Sequence, residues 1–202
     1  MTKVKICGLK RPEDISYVNQ YKPDYIGFVF AKSKRQVTKE LAQSLQTVLL
    51  PEMQAVGVFV NHSIEEIVDL VEENIIQVVQ LHGKETAEYI AELQAKIPNT
   101  PLWKAVSVKS IEDILAWEDS KVDLLLLDNG AGGTGEVFDW NILKEMKNFP
   151  KPYFIAGGLN PENVSEVLQF ASFGVDVSGG VETDGCKDEM KIKSFIETVR
   201  NR

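Results

Sequence analysis

Eight short apolar runs, separated by segments with helical periodicity, constrain this chain more than any other feature. The runs are Val4 to Ile6, Tyr25 to Phe30, Val56 to Val60, Ile76 to Leu81, Leu102 to Val106, Val122 to Leu127, Tyr153 to Ile155 and Val175 to Val177. Each is too short for a helix and rich in β-branched or aromatic residues, so each predicts a strand. Between them, Ile64, Ile67, Val68 and Val71 share one helical face, with Ser63 and Glu66 spaced as a capping box at its start. Ser110 before Ile111, and Asn160-Pro161 before Val164, give two more helix starts.

Strands alternating with helices imply parallel pairing through right-handed crossovers, and nearly continuous apolar strands imply a sheet covered on both faces. An open doubly wound sheet and a closed barrel both satisfy this. Eight strands within 202 residues match a single (β/α)8 barrel near the short end of its range, and no linker or low-complexity tract divides residues 1–202. The expected fold is therefore α/β, one barrel domain.

Composition narrows the function. A formal net charge of -8 and the lack of any basic stripe with interleaved aromatics argue against a nucleic-acid or anionic-membrane partner. The longest apolar stretch, around Leu124 to Leu127, lies between Asp123 and Asp128, far short of the roughly 20 residues of a membrane helix. Two cysteines, Cys7 and Cys186, and no apolar leader after Met1 imply a reducing, cytoplasmic location. The chain is taken as a monomer.

In such barrels catalysis belongs to the loops that follow the strands. Cys7, Arg35, His82, Asp128, Gly157-Gly158 and Ser178-Gly179-Gly180 all fall just after a predicted strand, on one rim. The glycines lie in the loops after strands 7 and 8, before predicted helices, where backbone N–H groups and a helix dipole would favour a phosphate. Read alone, those glycines also serve as plain turn residues, Cys7 as a small buried hydrophobe and Asp128 as a loop cap. Together, a thiol and a carboxylate on one rim make an acid/base pair that needs no metal or other cofactor.

Several blocks carry a family resemblance. They include Lys5-Ile6-Cys7-Gly8, Gly27-Phe28-Val29-Phe30 with Ser33-Lys34-Arg35, Gly57 to Asn61, and Gln80-Leu81-His82-Gly83. Leu127-Asp128, Gly132-Gly133-Thr134-Gly135 with Phe138-Asp139-Trp140, Gly157 to Val164, and Asp176 to Glu182 follow in order. With these blocks the chain resembles the phosphoribosylanthranilate isomerases of tryptophan biosynthesis, which rearrange an aminoaldose into an aminoketose. The resemblance implies Cys7 as general base and Asp128 as general acid. It also implies Arg35 on the anthranilate carboxylate, Asp176 on the sugar hydroxyls, Gln80 and His82 on the aromatic side, and Gly157, Gly158, Ser178 and Gly179 around the phosphate. Gly179 departs from the pattern, where many relatives carry serine, and Asn129-Gly130-Ala131 lacks an expected basic residue. Cys186 matches nothing in the pattern and is expected to be a surface thiol.

Three other readings stay open on the residues. The histidine-pathway isomerases resemble a two-aspartate design, which Cys7 on strand 1 opposes. Epimerases and aldolases need metal-binding histidines or a Schiff-base lysine, and only two histidines, His62 and His82, occur. A phosphate-ligand binding protein would use the glycine loops but neither Cys7 nor Asp128. As an acid/base pair the two groups rest in the wrong states, with a thiol near about 8.5 and an aspartate near about 3.9. The expectation is that burial raises Asp128 and that helix N-termini lower Cys7.

Overall fold

A computed structural model describes residues 1–130, 137–146, 149–170 and 173–201. The eight strands are β1 (Lys3–Cys7), β2 (Tyr25–Val29), β3 (Gln54–Phe59), β4 (Val78–Leu81), β5 (Leu102–Ser107), β6 (Leu124–Asp128), β7 (Tyr153–Ile155) and β8 (Gly174–Val177). All pair in parallel, in chain order, and β8 returns to β1 to close the barrel. A short hairpin, β9 (Glu182–Thr183) with β10 (Cys186–Lys187), follows β8.

The helices are α1 (Pro12–Tyr21), α2 (Lys39–Gln46), α3 (Ile64–Glu72), α4 (Ala87–Lys96), α5 (Ile111–Leu115), α6 (Val164–Val167) and α7 (Glu189–Arg200). The capping box at α3 forms as its spacing predicts: Glu66 N donates to Ser63 Oγ, while Ser63 N donates to Glu66 Oε2 at 3.1 Å. Two segments differ from the expected alternation. After β6 the described element is a 3-10 helix, Trp140–Met146, whose start is tied by Asn141 N donating to Asp139 Oδ1 at 2.9 Å. After β7, Asn160 Oδ1 accepts from the N–H groups of Glu162 and Asn163, a cap-like turn, but the α-helix beyond spans only Val164–Val167.

Strand parity sorts the side chains into two cores. One lies between sheet and helices and includes Ile6, Ile26, Phe59, Leu125, Ile155, Ile192 and Phe195. The other fills the barrel with Val56, Val78, Trp103, Ala105, Leu124, Leu126, Phe154 and Ala156. Tyr25, Trp103 and Phe154 pack edge-on or tilted with ring centroids 5.0 to 5.8 Å apart, each such pair contributing about 0.5–1.5 kcal/mol beyond burial. Because side chains alternate, the residues that share this inward face toward the strand ends include Cys7, Gln80, Asp128 and Asp176.

Candidate active site

The ends of β6, β7 and β8 open into a cavity of about 390 Å³ whose walls include Arg35, Asp128, Gly157, Gly158, Asp176, Ser178, Gly179 and Glu182. Cys7, Gln80 and His82 are not among those walls. Cys7 is 7% exposed at the end of β1, and its carbonyl accepts a 3.0 Å hydrogen bond from Ser178 Oγ, which ties the ends of β1 and β8 together. Gly27 stands opposite Cys7 in the β1–β2 register, and a Cβ there would lie 2.6 Å from Sγ. That glycine gives the sulfur its room.

The two glycine loops touch each other: a Cβ on Gly180 would collide with the Leu159 carbonyl oxygen. Gly157 and Gly158 both have positive φ, 76° and 66°, a conformation that side chains oppose. A Cβ at Gly157 would sit 2.6 Å from Asp128 Oδ1, so this glycine also belongs to the surroundings of the carboxylate. Gly179 is unstrained, with Arg35 Nη2 3.2 Å from where its Cβ would be. The expected helix dipoles are short: one turn after β7, and a 3-10 turn, Gly179–Val181, after β8. Backbone N–H groups are therefore the main attraction for an anion here, since a dipole summed over so few peptides is small.

Arg35 is not a free guanidinium. Its Nε and Nη2 donate to Glu182 Oε1 and Oε2 at 2.6 and 2.8 Å, and buried Lys187 donates to Oε1 at 2.8 Å and to the Ser178 carbonyl at 3.0 Å. Burial would raise the Glu182 carboxyl, but Arg35 and Lys187 outweigh it and hold the group at about 2. The hairpin β9–β10 is in this way locked to the loop after β2.

Asp176 Oδ1 accepts from Lys5 Nζ at 3.0 Å, the lysine fully buried and the carboxylate on the cavity wall. Across the mouth, His82 Nε2 lies 3.7 Å from Asp128 Oδ2, and Gln80 Nε2 lies 3.3 Å from His82 Nδ1. Gln80 Oε1 is buried without a hydrogen-bond partner. Burial pushes the His82 imidazole below its ordinary value, against the pull of Asp128, so it is neutral at pH 7. Its loop is held from behind: Lys104, on β5, donates to the carbonyls of Leu81 and Gly83 and to Glu85 Oε2 at 3.0 Å.

Burial pushes the Cys7 thiol up, and Lys5 only partly opposes it. This corrects the expectation of a lowered thiol: desolvation of the buried sulfur is the largest influence on it and acts upward. Cys186 is a half-buried free thiol on β10. The Gly132-Gly133-Thr134-Gly135 block and Ala131 lie outside the described residues. Sequence reasoning missed Lys5, Lys104, Lys187 and Glu85 as members of this network. Lys5 and Lys104 carried a signal, a lysine inside an otherwise apolar strand.

Among the described residues no cluster of three or more His, Cys, Asp and Glu side chains could hold a metal ion, and no helix is long and apolar enough to cross a membrane. Comparison with known proteins gives a family match. Residues 4–198 match the family model described as N-(5'phosphoribosyl)anthranilate (PRA) isomerase. The N-(5'-phosphoribosyl)anthranilate isomerase of Acetivibrio thermocellus is 47% identical over 210 residues, covering 99% of this chain and 96% of its own length. That of Clostridium kluyveri is 46% identical over 202 residues, covering 100% and 99%. The crystal structure of phosphoribosyl anthranilate isomerase from Thermotoga maritima superposes with a TM-score of 0.90 at 36% identity, covering both chains fully. A structure of such an enzyme in complex with reduced 1-(o-carboxyphenylamino)-1-deoxyribulose 5-phosphate superposes at 0.88 with 35% identity, again over both chains in full.

Proposed function

Because this chain belongs to the N-(5'-phosphoribosyl)anthranilate isomerase family, we propose that residues 1–202 form one catalytic domain in which Cys7 is the general base and Asp128 the general acid. The observation that supports the reading is one cavity joining Asp128, Asp176 and Arg35 to the two glycine loops, with Cys7 on the same inward face at the end of β1. It offers backbone N–H groups at one end and carboxylates at the other, as a phosphorylated sugar requires. The bound product analogue in the related structure has the same three parts: phosphate, sugar chain and carboxyphenyl ring.

The reaction runs in two proton transfers. Asp128 protonates the furanose oxygen as the lone pair of the anilinic nitrogen forms a C=N bond and the ring C–O bond breaks. The Cys7 thiolate then takes the C2 proton, the C–H electron pair becomes the C1=C2 bond, and the nitrogen recovers its lone pair. The resulting enolamine tautomerises to the ketone. Asp176 keeps Oδ2 for the sugar hydroxyls while Lys5 holds Oδ1. Arg35, with Nε and Nη2 on Glu182, presents Nη1 to the anthranilate carboxylate. Gly157, Gly158, Ser178 and Gly179 surround the phosphate. His82, held by Gln80, faces the aromatic ring as a neutral group. No step uses a metal or cofactor.

Purified protein offered phosphoribosylanthranilate with excess chelator should quench substrate fluorescence, and Cys7→Ser and Asp128→Asn should each abolish most of the turnover. Loss of activity to chelator would overturn the metal-free chemistry. Full turnover in either variant would overturn the acid/base assignment.

A further inference from the structure

The reaction as read above leaves the buried ammonium of Lys5 without a task of its own. Lys5 is 0% exposed and precedes Cys7 by two residues on β1, so both side chains leave the inward face of that strand. Across the barrel seam its register partner on β8 is Asp176, whose Oδ1 it reaches at 3.0 Å. The same ammonium also interacts with the Cys7 sulfur. Other inward positions of the barrel, Val56, Val78, Ala105 and Leu126 among them, are apolar.

Stability does not account for such a pair. Exchanging a buried ion pair for packed apolar residues is commonly neutral or favourable, because desolvation of both charges offsets their attraction. The sulfur, however, has a need for it. Burial raises the thiol, and Lys5 is the strongest influence acting the other way. The remaining charges facing the sulfur are Asp176 from β8, which opposes its ionisation, Lys187 from β10, and Arg35 from the loop after β2.

We propose that Lys5 is a positioning residue for the isomerisation: anchored on Asp176, its ammonium is the counterion that offsets part of the cost of forming the Cys7 thiolate that takes the substrate proton. The inference rests on the reading of Cys7 as the base. In the step itself an S–H bond forms as the substrate C–H bond breaks, the electron pair stays on the substrate, and Lys5 keeps all three of its protons. Asp176 thereby couples the sugar to the base, since one carboxylate contacts the hydroxyls and the ammonium.

The test uses the full chain with Cys186→Ser, which leaves Cys7 as its one thiol. The alkylation rate with iodoacetamide is followed against pH, beside the pH profile of kcat/KM. In Lys5→Met the alkylation midpoint should rise by about one unit or more, so that about tenfold less thiolate is present below it. Activity should fall in kcat and recover as pH rises, which a merely structural lysine would not produce. Lys5→Arg, which keeps the charge, should lie between the two. Lys5→Gln, which keeps a hydrogen-bonding group towards Asp176 but no charge, should raise the midpoint in the same direction and decides the matter if Lys5→Met does not fold. An unmoved midpoint in Lys5→Met, or in Lys5→Gln where that variant stands in for it, overturns the proposal. Cys7→Ser with full turnover would instead overturn the base assignment, while the alkylation result would still report on Lys5 and Cys7.

Discussion

Arg35 and Glu182, 147 residues apart in sequence, meet in a two-pronged ion pair with Nε–Oε1 at 2.6 Å and Nη2–Oε2 at 2.8 Å. The carboxylate therefore sets the plane of the guanidinium before any substrate arrives. Arg35→Ala should raise KM by about 10- to 100-fold, the equivalent of about 1.5–3 kcal/mol for a hydrogen bond to a charged group. Lysine should restore little, because it cannot form the fork. Glu182→Gln should also raise KM, through loss of orientation. Steady-state kinetics on the three variants check this, and an unchanged KM in Arg35→Ala removes the residue from the site.

The same carboxylate gives a pH dependence of stability. Its folded value, about 2, is below the ordinary 4.5, so its contribution is present above about pH 4.5 and is lost as pH falls towards 2. Glu182→Gln should flatten that part of the acid limb in urea unfolding measured from pH 6 to 2. An identical slope in both proteins would show that the pair does not act on folding.

Gly157 and Gly158 should separate in kinetics. A Cβ at Gly157 presses on Asp128 Oδ1, so Gly157→Ala should lower kcat. A bulky residue at Gly158 should raise KM by blocking the phosphate, and added inorganic phosphate should then compete less well than in the wild type. If Gly158→Val folds and keeps its KM, the phosphate assignment fails.

The acid/base pair should give a bell-shaped kcat/KM profile whose limbs belong to Cys7 and Asp128 jointly. Cys7→Ser should lose at least about 10²-fold in turnover, the lower end of a general base's contribution. Cys186→Ser should lose almost nothing, since the proposed reaction gives Cys186 no part. A folded Cys7→Ser enzyme that keeps more than about a tenth of its turnover contradicts the role.

Lys104→Met should destabilise the protein by about 3–5 kcal/mol, because Glu85 would remain buried without its countercharge. It should also alter KM, since the carbonyls on either side of His82 lose the ammonium they accept from. Denaturant unfolding and kinetics test both; a loss below about 1 kcal/mol would mean that Glu85 is satisfied by backbone N–H groups alone.

What the sequence determined by itself is local or periodic. Alternation of strand and helix signals specified the eight strands, with ends within two residues of those observed, because a strand's apolar run and a helix's repeat are properties of neighbouring residues. Ser63 and Glu66 specified a cap for the same reason. Cys7 and Asp128 were legible as rim residues, each ending its strand, and parity turns both inward. The pairings were not legible. Whether Lys5 meets Asp176, 171 residues away, depends on the register in which β8 closes onto β1. Arg35 acquires Glu182 only because the hairpin after β8 folds back over the loop after β2. The thiol's upward shift likewise arises from desolvation, which depends on what surrounds the sulfur in three dimensions. Periodicity reaches a few residues along the chain, whereas ion pairs and desolvation are set by distances that exist only after the barrel closes.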